Sequence, residues 1–450
     1  MKLKLRILHV LSFVFAAAIP FYNSESTGSH TYGKPLHLVI LGAALYFLMG
    51  PAYQKRNPFR NTRLSFSRYF FLFTILLVLS MAFTNGTTLT GSLLVIYYVE
   101  LTIVYMLFST LLFERAIINT CFYGLMFGFC ISIFIALMQF LNIPGFSMFK
   151  DDQLNANVYY SSQADAVDIL RIWGPFGNAL TFSYYLSVAG CLLFYFYFYV
   201  LKRRIIAWAI FGMTLFGISV TISRTALFAF LFCLALVHFF AISPRKRIIF
   251  LLSAVVLFIV GAIYLNTLEA DNPFLSRLNS TQDDFRGGRL NLWQAGYKAW
   301  LNNIFFGTGP GNLNRKLYES GWHAMNTDMM DNTIGHVENY YLTLLFTFGL
   351  VAFFFYLLFQ TRFLQAAFRL LKKGLSDEGL KSGAAAGIPF FGSILCMVLN
   401  NMTNPAMNFD VRLQVLMILQ MAIVNNLYKQ YILAPGEPAA NLLPLKTITI

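Results

Sequence analysis

The stretch "GHVENYYLTLLFTFGLVAFFFYLLF", Gly335 to Phe359, decides the fold. From Tyr340 onward almost every residue is apolar or aromatic. A helix rises about 1.5 Å per residue and needs about 20 residues to cross a hydrocarbon core of roughly 30 Å, so the run reads as a membrane span. Its first turn nevertheless carries His336, Glu338 and Asn339. Either the helix begins at the headgroups, where a carboxylate near the positive dipole end is favourable, or that turn lines a polar site.

The rest of the chain repeats the first half of this pattern. Of 450 residues, 58% are hydrophobic and 12% charged, with mean hydropathy +0.62. Soluble domains carry about twice that charge fraction. About twelve apolar runs qualify as spans by length. They lie near 5–21, 36–53, 68–84, 93–113, 116–141, 176–201, 205–222, 225–242, 247–266, 336–360, 384–402 and 412–432. The first reads as a retained helix rather than a cleaved signal segment, because it is long and Pro20 follows at once. No internal repeat or low-complexity linker divides residues 1–450. The fold class expected is an all-α polytopic membrane protein in one domain.

Charge sets the expected orientation. About two thirds of the 33 lysines and arginines fall on alternate loops, including Lys2–Arg6, Lys55–Arg68, Lys202–Arg204, Arg245–Arg247 and Arg362–Lys381. The positive-inside rule then puts both termini in the cytoplasm. The +14 balance is read as topology and contact with anionic lipid, not as a nucleic-acid footprint. Cys121, Cys130, Cys191, Cys233 and Cys396 all fall inside proposed helices, so neither a disulfide framework nor a Cys-ligated metal is expected.

Two outer loops are long, at 142–172 and 267–335. The second holds "GRLNLWQAGYKAWL", where Leu290, Trp293, Tyr297, Trp300 and Leu301 recur at helical spacing. Such a helix lies at the membrane interface or packs on the bundle. "FGTGPGN" (306–312) lacks the Lys-Ser/Thr of a nucleotide loop and reads as a tight turn with a close backbone approach. The acid pairs at 151–152 and 283–284 have no third ligand at metal spacing, so no metal is assigned.

Three arginines stand on the predicted outer side: Arg171 before the sixth run, Arg224 on a short turn between two runs, and Arg289 in the long loop. Each alone has an ordinary reading as a snorkelling, headgroup-bound or salt-bridged arginine. Guanidinium groups bind phosphate in a bidentate manner and stay charged, so three converging on one face would suit a diphosphate.

Taken in order, these motifs resemble the O-antigen polymerase and ligase superfamily of bacterial envelope proteins. The resemblance rests on Arg171, Gly174 and Asn178; on Ser223-Arg224; on Gly288, Arg289 and Trp293; on Gly307, Gly309 and Gly311; and on Asn339, Tyr341, Leu342, Gly349 and Leu350. It covers 171–350 by motif and the chain by helix count. Glu338 stands where that family has a histidine, and His336 lies two residues upstream. Two helical residues are about 200° apart, so both cannot face one pocket if the turn is helical. Glu338 makes the chain look more like the polymerase branch.

The resemblance implies a fold similar to the GT-C membrane glycosyltransferases. It also implies a reaction: a glycan on undecaprenyl diphosphate moves to a hydroxyl of another lipid-linked repeat unit, building O-antigen, capsule or exopolysaccharide. Glu338, Arg289 and Arg224 are the expected catalytic residues. Arg171, Asn178, Ser223, Trp293, His336, Asn339 and Tyr341 are the expected substrate contacts. No metal or other cofactor is expected. The implied partners are the lipid-linked oligosaccharide, membrane lipids, and a chain-length regulator and flippase of the same pathway. The implied location is the bacterial cytoplasmic membrane, with the site on its outer face. A ligase transferring the finished glycan to lipid A core shares every motif but the glutamate. A flippase or transporter is the rival of another class; such proteins place ionisable groups at mid-membrane and show repeats, whereas here only Glu100 lies deep in a run.

Overall fold

The computed structural model describes residues 2–21, 64–84, 89–111, 115–146, 171–243, 245–249, 252, 289–321, 337–376, 384–408 and 410–433. Every regular element among them is helical. In chain order they are α1 (Lys2–Ala18), α2 (Ser65–Phe83), α3 (Leu89–Leu111), α4 (Arg115–Phe140), α5 (Ala179–Tyr195), α6 (Arg204–Thr221), α7 (Arg224–Ala241), α8 (Leu290–Leu301), α9 (Leu313–Glu319), α10 (Tyr340–Leu375), α11 (Ile388–Asn401) and α12 (Val411–Tyr428).

Among the described residues, 8 helices are long and apolar enough to cross a membrane. Two shorter apolar helices, Leu8–Phe21 and Leu94–Thr110, coincide with the first and fourth predicted runs. The runs at 36–53 and most of 247–266 lie outside the described residues. The chain is a polytopic membrane protein, all-helical over its described residues.

Burial sorts the spans into layers. In α12 the whole apolar window is buried, and in α5 94% of it, whereas α7 keeps only 28% and α6 33%. The polar residues follow this order. Gln414, Gln420, Asn425 and Asn426 all sit on buried α12, where they face protein instead of lipid. Asn426 Nδ2 donates to Ser109 O of α3 at 2.9 Å, fixing the register of two central helices. Peripheral α1 lies against α4, whose Gly124 and Gly128 meet the backbone of Phe13 and Ala17. Small residues one helical turn apart permit that approach, as in other membrane helix pairs.

A set of polar contacts gathers helix ends at one end of the bundle. Asn339, before α10, donates Nδ2 to Met402 O beyond α11 at 2.7 Å. Asn404 donates to Leu180 O at the start of α5, 3.1 Å. Gln139, near the end of α4, accepts from Gly174 N at 2.8 Å and donates to Gly174 O at 3.1 Å. Ile172 N bonds Val220 O at the end of α6, 3.1 Å. The ends of α4, α6 and α11 therefore meet the starts of α5, α7, α10 and α12. Every described candidate residue lies there.

Candidate functional site

The span quoted at the outset is broken. α10 has Gly349 at φ 80°, ψ 178°, outside any helical region. The break leaves carbonyls without intrahelical donors, and the glycine-rich loop supplies them. Thr308 N donates to Phe346 O at 2.8 Å and Gly309 N to Thr347 O at 3.0 Å, while Leu350 N donates to Ile304 O at 2.9 Å. A Cβ on Gly349 would meet Phe305 O, and one on Gly307 would sit 2.5 Å from Thr347 O. This is the close backbone approach expected of "FGTGPGN". Ser80 of α2 donates to Phe306 O at 2.8 Å, so the loop is also held from below.

That docking places α8. Its face of Leu292, Ala295, Gly296 and Ala299 is buried, with Gly296 directly under the Phe346 ring. At its other end Trp293 Nε1 donates to Val337 O at 2.7 Å. Of the two readings of this helix, packing on the bundle is the one its contacts show. One face packs on the bundle, while Leu290, Tyr297 and Leu301 remain exposed.

Arg289, at the N-cap of α8, reaches across to Glu338, with Nη2 to Oε2 at 3.4 Å. Both side chains are over a third exposed. Glu338 does not belong to a helical turn. Its φ is +56°, in the left-handed region, and α10 starts two residues later at Tyr340. The expected helical opening is corrected on this point, and so is the angular argument separating His336 from Glu338, which required a helix there. The physical reason is the cap. Asn339 is extended and its Oδ1 accepts from Leu342 N at 3.0 Å, which starts the helix after it. Val337 N is meanwhile taken by Thr343 Oγ1 at 3.1 Å. His336, Gly288 and the two acid pairs lie outside the described residues. α10 also runs to Leu375, well past the predicted end near 360, because its amphipathic tail is helical without being apolar.

Arg171, Ser223 and Arg224 meet at the turn between α6 and α7. Arg171 Nε donates to Thr221 O at 3.0 Å. Ile222 caps α6 in the left-handed region at φ 56°, a costly conformation for a β-branched residue. Ser223 follows at the N-cap of α7, and Arg224 is its first residue. A cation there opposes the helix dipole, which favours anions. Asn178 caps α5, its Oδ1 accepting from Leu180 N at 2.8 Å and Thr181 N at 3.2 Å. Tyr341 donates its hydroxyl to Val398 O at 3.2 Å. The structure thus ties Arg289 to Glu338 at the α8–α10 corner and Arg171 to the α6–α7 turn. Asn178, Asn339 and Tyr341 already serve the fold with at least one polar atom each.

One charged pair was not anticipated. Arg412 and Asp410, only 7% and 6% exposed in their side chains, form an ion pair at 2.6 Å. Arg412 Nη1 donates to Pro175 O and Nη2 to Phe176 O, both at 3.1 Å, and the guanidinium lies 4.1 Å over the Phe176 ring. This clamp holds the 174–176 turn that separates Arg171 from Asn178. The signal present in sequence was an Asp-x-Arg at the N-terminal boundary of the last apolar run.

Four described non-glycine residues have positive φ: Asn142, Lys202, Ile222 and Glu338. Two of these stand within the candidate motifs. Strained backbone of this kind collects at functional sites because it persists only where the surroundings impose it.

No curated protein matches the chain. Residues 209–357 match the family model described as O-antigen ligase, whose members are glycosyltransferase-like enzymes. The matched stretch runs from α6 into α10 and holds Ser223, Arg224, Arg289, Trp293, Glu338, Asn339 and Tyr341, and it supports membership of this membrane protein in the O-antigen polymerase and ligase superfamily.

Proposed function

We propose that the protein is a polysaccharide polymerase, transferring an undecaprenyl-diphosphate-linked glycan to a hydroxyl of another lipid-linked repeat unit. The observation that carries this reading is the Arg289–Glu338 pair on a left-handed residue. An exposed ion pair contributes about 0–1 kcal/mol. A non-glycine residue held in the left-handed region costs on the order of 1 kcal/mol or more. The arrangement therefore gains the fold nothing, and a chemical role explains it better.

In this reading the diphosphate of the donor binds Arg289, with Arg224 and Arg171 nearby at the same end. The bond from the sugar C1 to the phosphate oxygen breaks, and its electron pair leaves with undecaprenyl diphosphate. The acceptor oxygen bonds to C1, and its proton passes to the Glu338 carboxylate. A diphosphate is a good leaving group that needs charge stabilisation, typically a few kcal/mol per preorganised donor. The arginines supply it, so the reading assigns no metal. Arg289 touches both halves of the reaction: diphosphate entering its fork competes with Glu338 and releases the carboxylate towards the acceptor. The site end of the bundle faces the outside of the cytoplasmic membrane, with both termini inside.

The description of the matched family favours a second reading, ligase transfer of the finished glycan to another acceptor. One experiment separates them. Purified protein is given a single undecaprenyl-diphosphate repeat unit, with and without lipid A core, and products are resolved on a gel. A ladder from wild type that is lost in Arg289→Ala and Glu338→Gln supports polymerisation at this site. Transfer only when core is added supports ligation. No reaction under either condition turns the reading towards transport, and a ladder surviving both substitutions removes the site.

A further inference from the structure

At the opposite end of the bundle, a cavity of about 50 Å³ opens between α2, α10 and α12, lined by Leu64, Ser65, Phe66, Arg362, Gln365, Ala366, Arg369 and Tyr428. We propose that it is a binding site for the phosphate of an anionic phospholipid headgroup. Its volume suits a phosphate-sized anion or a few waters.

Three features point to that chemistry. Arg362, Gln365 and Arg369 share one face of α10 by their i, i+3, i+7 spacing, so both guanidiniums border the same opening. Arg369 Nη1 is steadied by the Tyr428 hydroxyl at 2.7 Å, and Arg362 Nη1 by Gln365 Oε1 at 3.1 Å. Each guanidinium carries five N–H donors and spends one on these bonds. Among the described residues neither arginine forms an ion pair. The start of α2, Leu64 to Phe66, lines the same opening, and Leu64 gives that helix no side-chain cap, so its positive dipole end lies beside the two arginines.

Depth favours lipid over free anion. Arg362 lies 22 residues beyond Tyr340 and Arg369 lies 29 residues beyond it, at most about 33 Å and 43 Å across the membrane, since the break at Gly349 shortens both. With Tyr340 at one hydrocarbon boundary, the core ends at about 30 Å and the far headgroup layer at about 35–38 Å. Arg362 therefore falls at the headgroup layer of the opposite leaflet, with Arg369 two helical turns beyond it. The proposal is independent of the transfer chemistry.

The test uses the full chain in zwitterionic detergent, titrated with phosphatidylglycerol and followed by native mass spectrometry. Parallel arms use phosphatidylcholine and inorganic phosphate. The charge-matched control is Lys202→Gln/Arg203→Gln, on the loop between α5 and α6. Phosphatidylglycerol retention is expected to weaken about 30-fold in Arg362→Gln/Arg369→Gln at low salt, the factor two interfacial arginines contribute. The control is expected to bind as wild type does. Equal weakening in the control would show general surface charge and overturn the site. Inorganic phosphate binding as tightly as phosphatidylglycerol would overturn the lipid assignment, and so would equal retention of phosphatidylcholine.

Discussion

Arg412→Met is the substitution with the clearest expected cost. The native guanidinium meets Asp410 at both carboxylate oxygens, 2.6–3.2 Å, and also serves two carbonyls. Methionine fills much of the volume but leaves a buried carboxylate facing apolar surroundings. Removing one partner of a buried pair costs about 3–5 kcal/mol. Asp410→Asn/Arg412→Met removes the orphan charge as well. It still strips Pro175 O and Phe176 O of their donors, about 1 kcal/mol each, so roughly 2 kcal/mol remains. The single variant is therefore expected to be less stable than the double by about 1–3 kcal/mol. The assay is thermal unfolding in detergent followed by tryptophan fluorescence. At about 2 °C per kcal/mol, the lower end of the range for domains of 150–250 residues, the single variant loses roughly 8 °C and the double roughly 4 °C. A double variant as unstable as the single would refute the reasoning, because the cost would then come from packing over Phe176 and not from charge.

Three further outcomes are expected. Glu338→Gly relieves the left-handed strain, on the order of 1 kcal/mol, and loses an exposed ion pair of at most about that size, so its Tm stays close to wild type while transfer disappears. A Tm loss equivalent to more than about 2 kcal/mol would make Glu338 a structural residue. Gly349→Ala brings a Cβ onto Phe305 O at a positive φ, and is expected to cost about 2 kcal/mol or more in the same melting assay. An unchanged Tm would mean the break in α10 is not imposed by the loop. Asn178→Asp keeps the cap made by Oδ1 and so keeps the Tm, whereas Asn178→Ala loses about 1 kcal/mol. If Asn178 also binds substrate through Nδ2, the Asp variant lowers transfer at full stability; full transfer in Asp would confine the residue to capping.

The helices were legible because hydrocarbon permits so little else. Apolar runs of the right length must satisfy their backbone internally, so run and helix coincide at α2, α4 to α7, α11 and α12. Hydropathy failed where a helix outlives the bilayer, as α10 does past residue 360, since its tail is amphipathic. The glycines of 307–311 were readable as a close approach, but their partner was not. Nothing in "TFGL" announces that Gly349 breaks its helix, because glycine inside a membrane span is common and usually helical. The conformation of Glu338 was equally hidden. A residue between "HV" and "NYY" gives no sign of a positive φ, which follows from the Asn339 cap and from Val337 being held at both its amide and its carbonyl. Asp410 and Arg412 were visible as charges at the edge of a run, and edges of runs are where unremarkable charges also sit.

The break at Gly349 gives the candidate site its geometry. A continuous α10 would have no free carbonyls at Phe346 and Thr347, so the loop at 304–309 would have nothing to bond. α8 would then be held only by Trp293 and its small-residue face, and Arg289 would be a charge on a loosely attached loop helix. With the break, α8 is fixed at both ends of its length, near Val337 and near Leu350. Both members of the Arg289–Glu338 pair thus refer to the same stretch, Val337 to Leu350. Their spacing is set by backbone hydrogen bonds and not by the weak attraction between two exposed side chains. Loosening the break would therefore move Arg289 relative to Glu338 before it unfolded anything else. Gly349→Ala should accordingly reduce transfer more steeply than its loss of Tm alone would account for at the assay temperature.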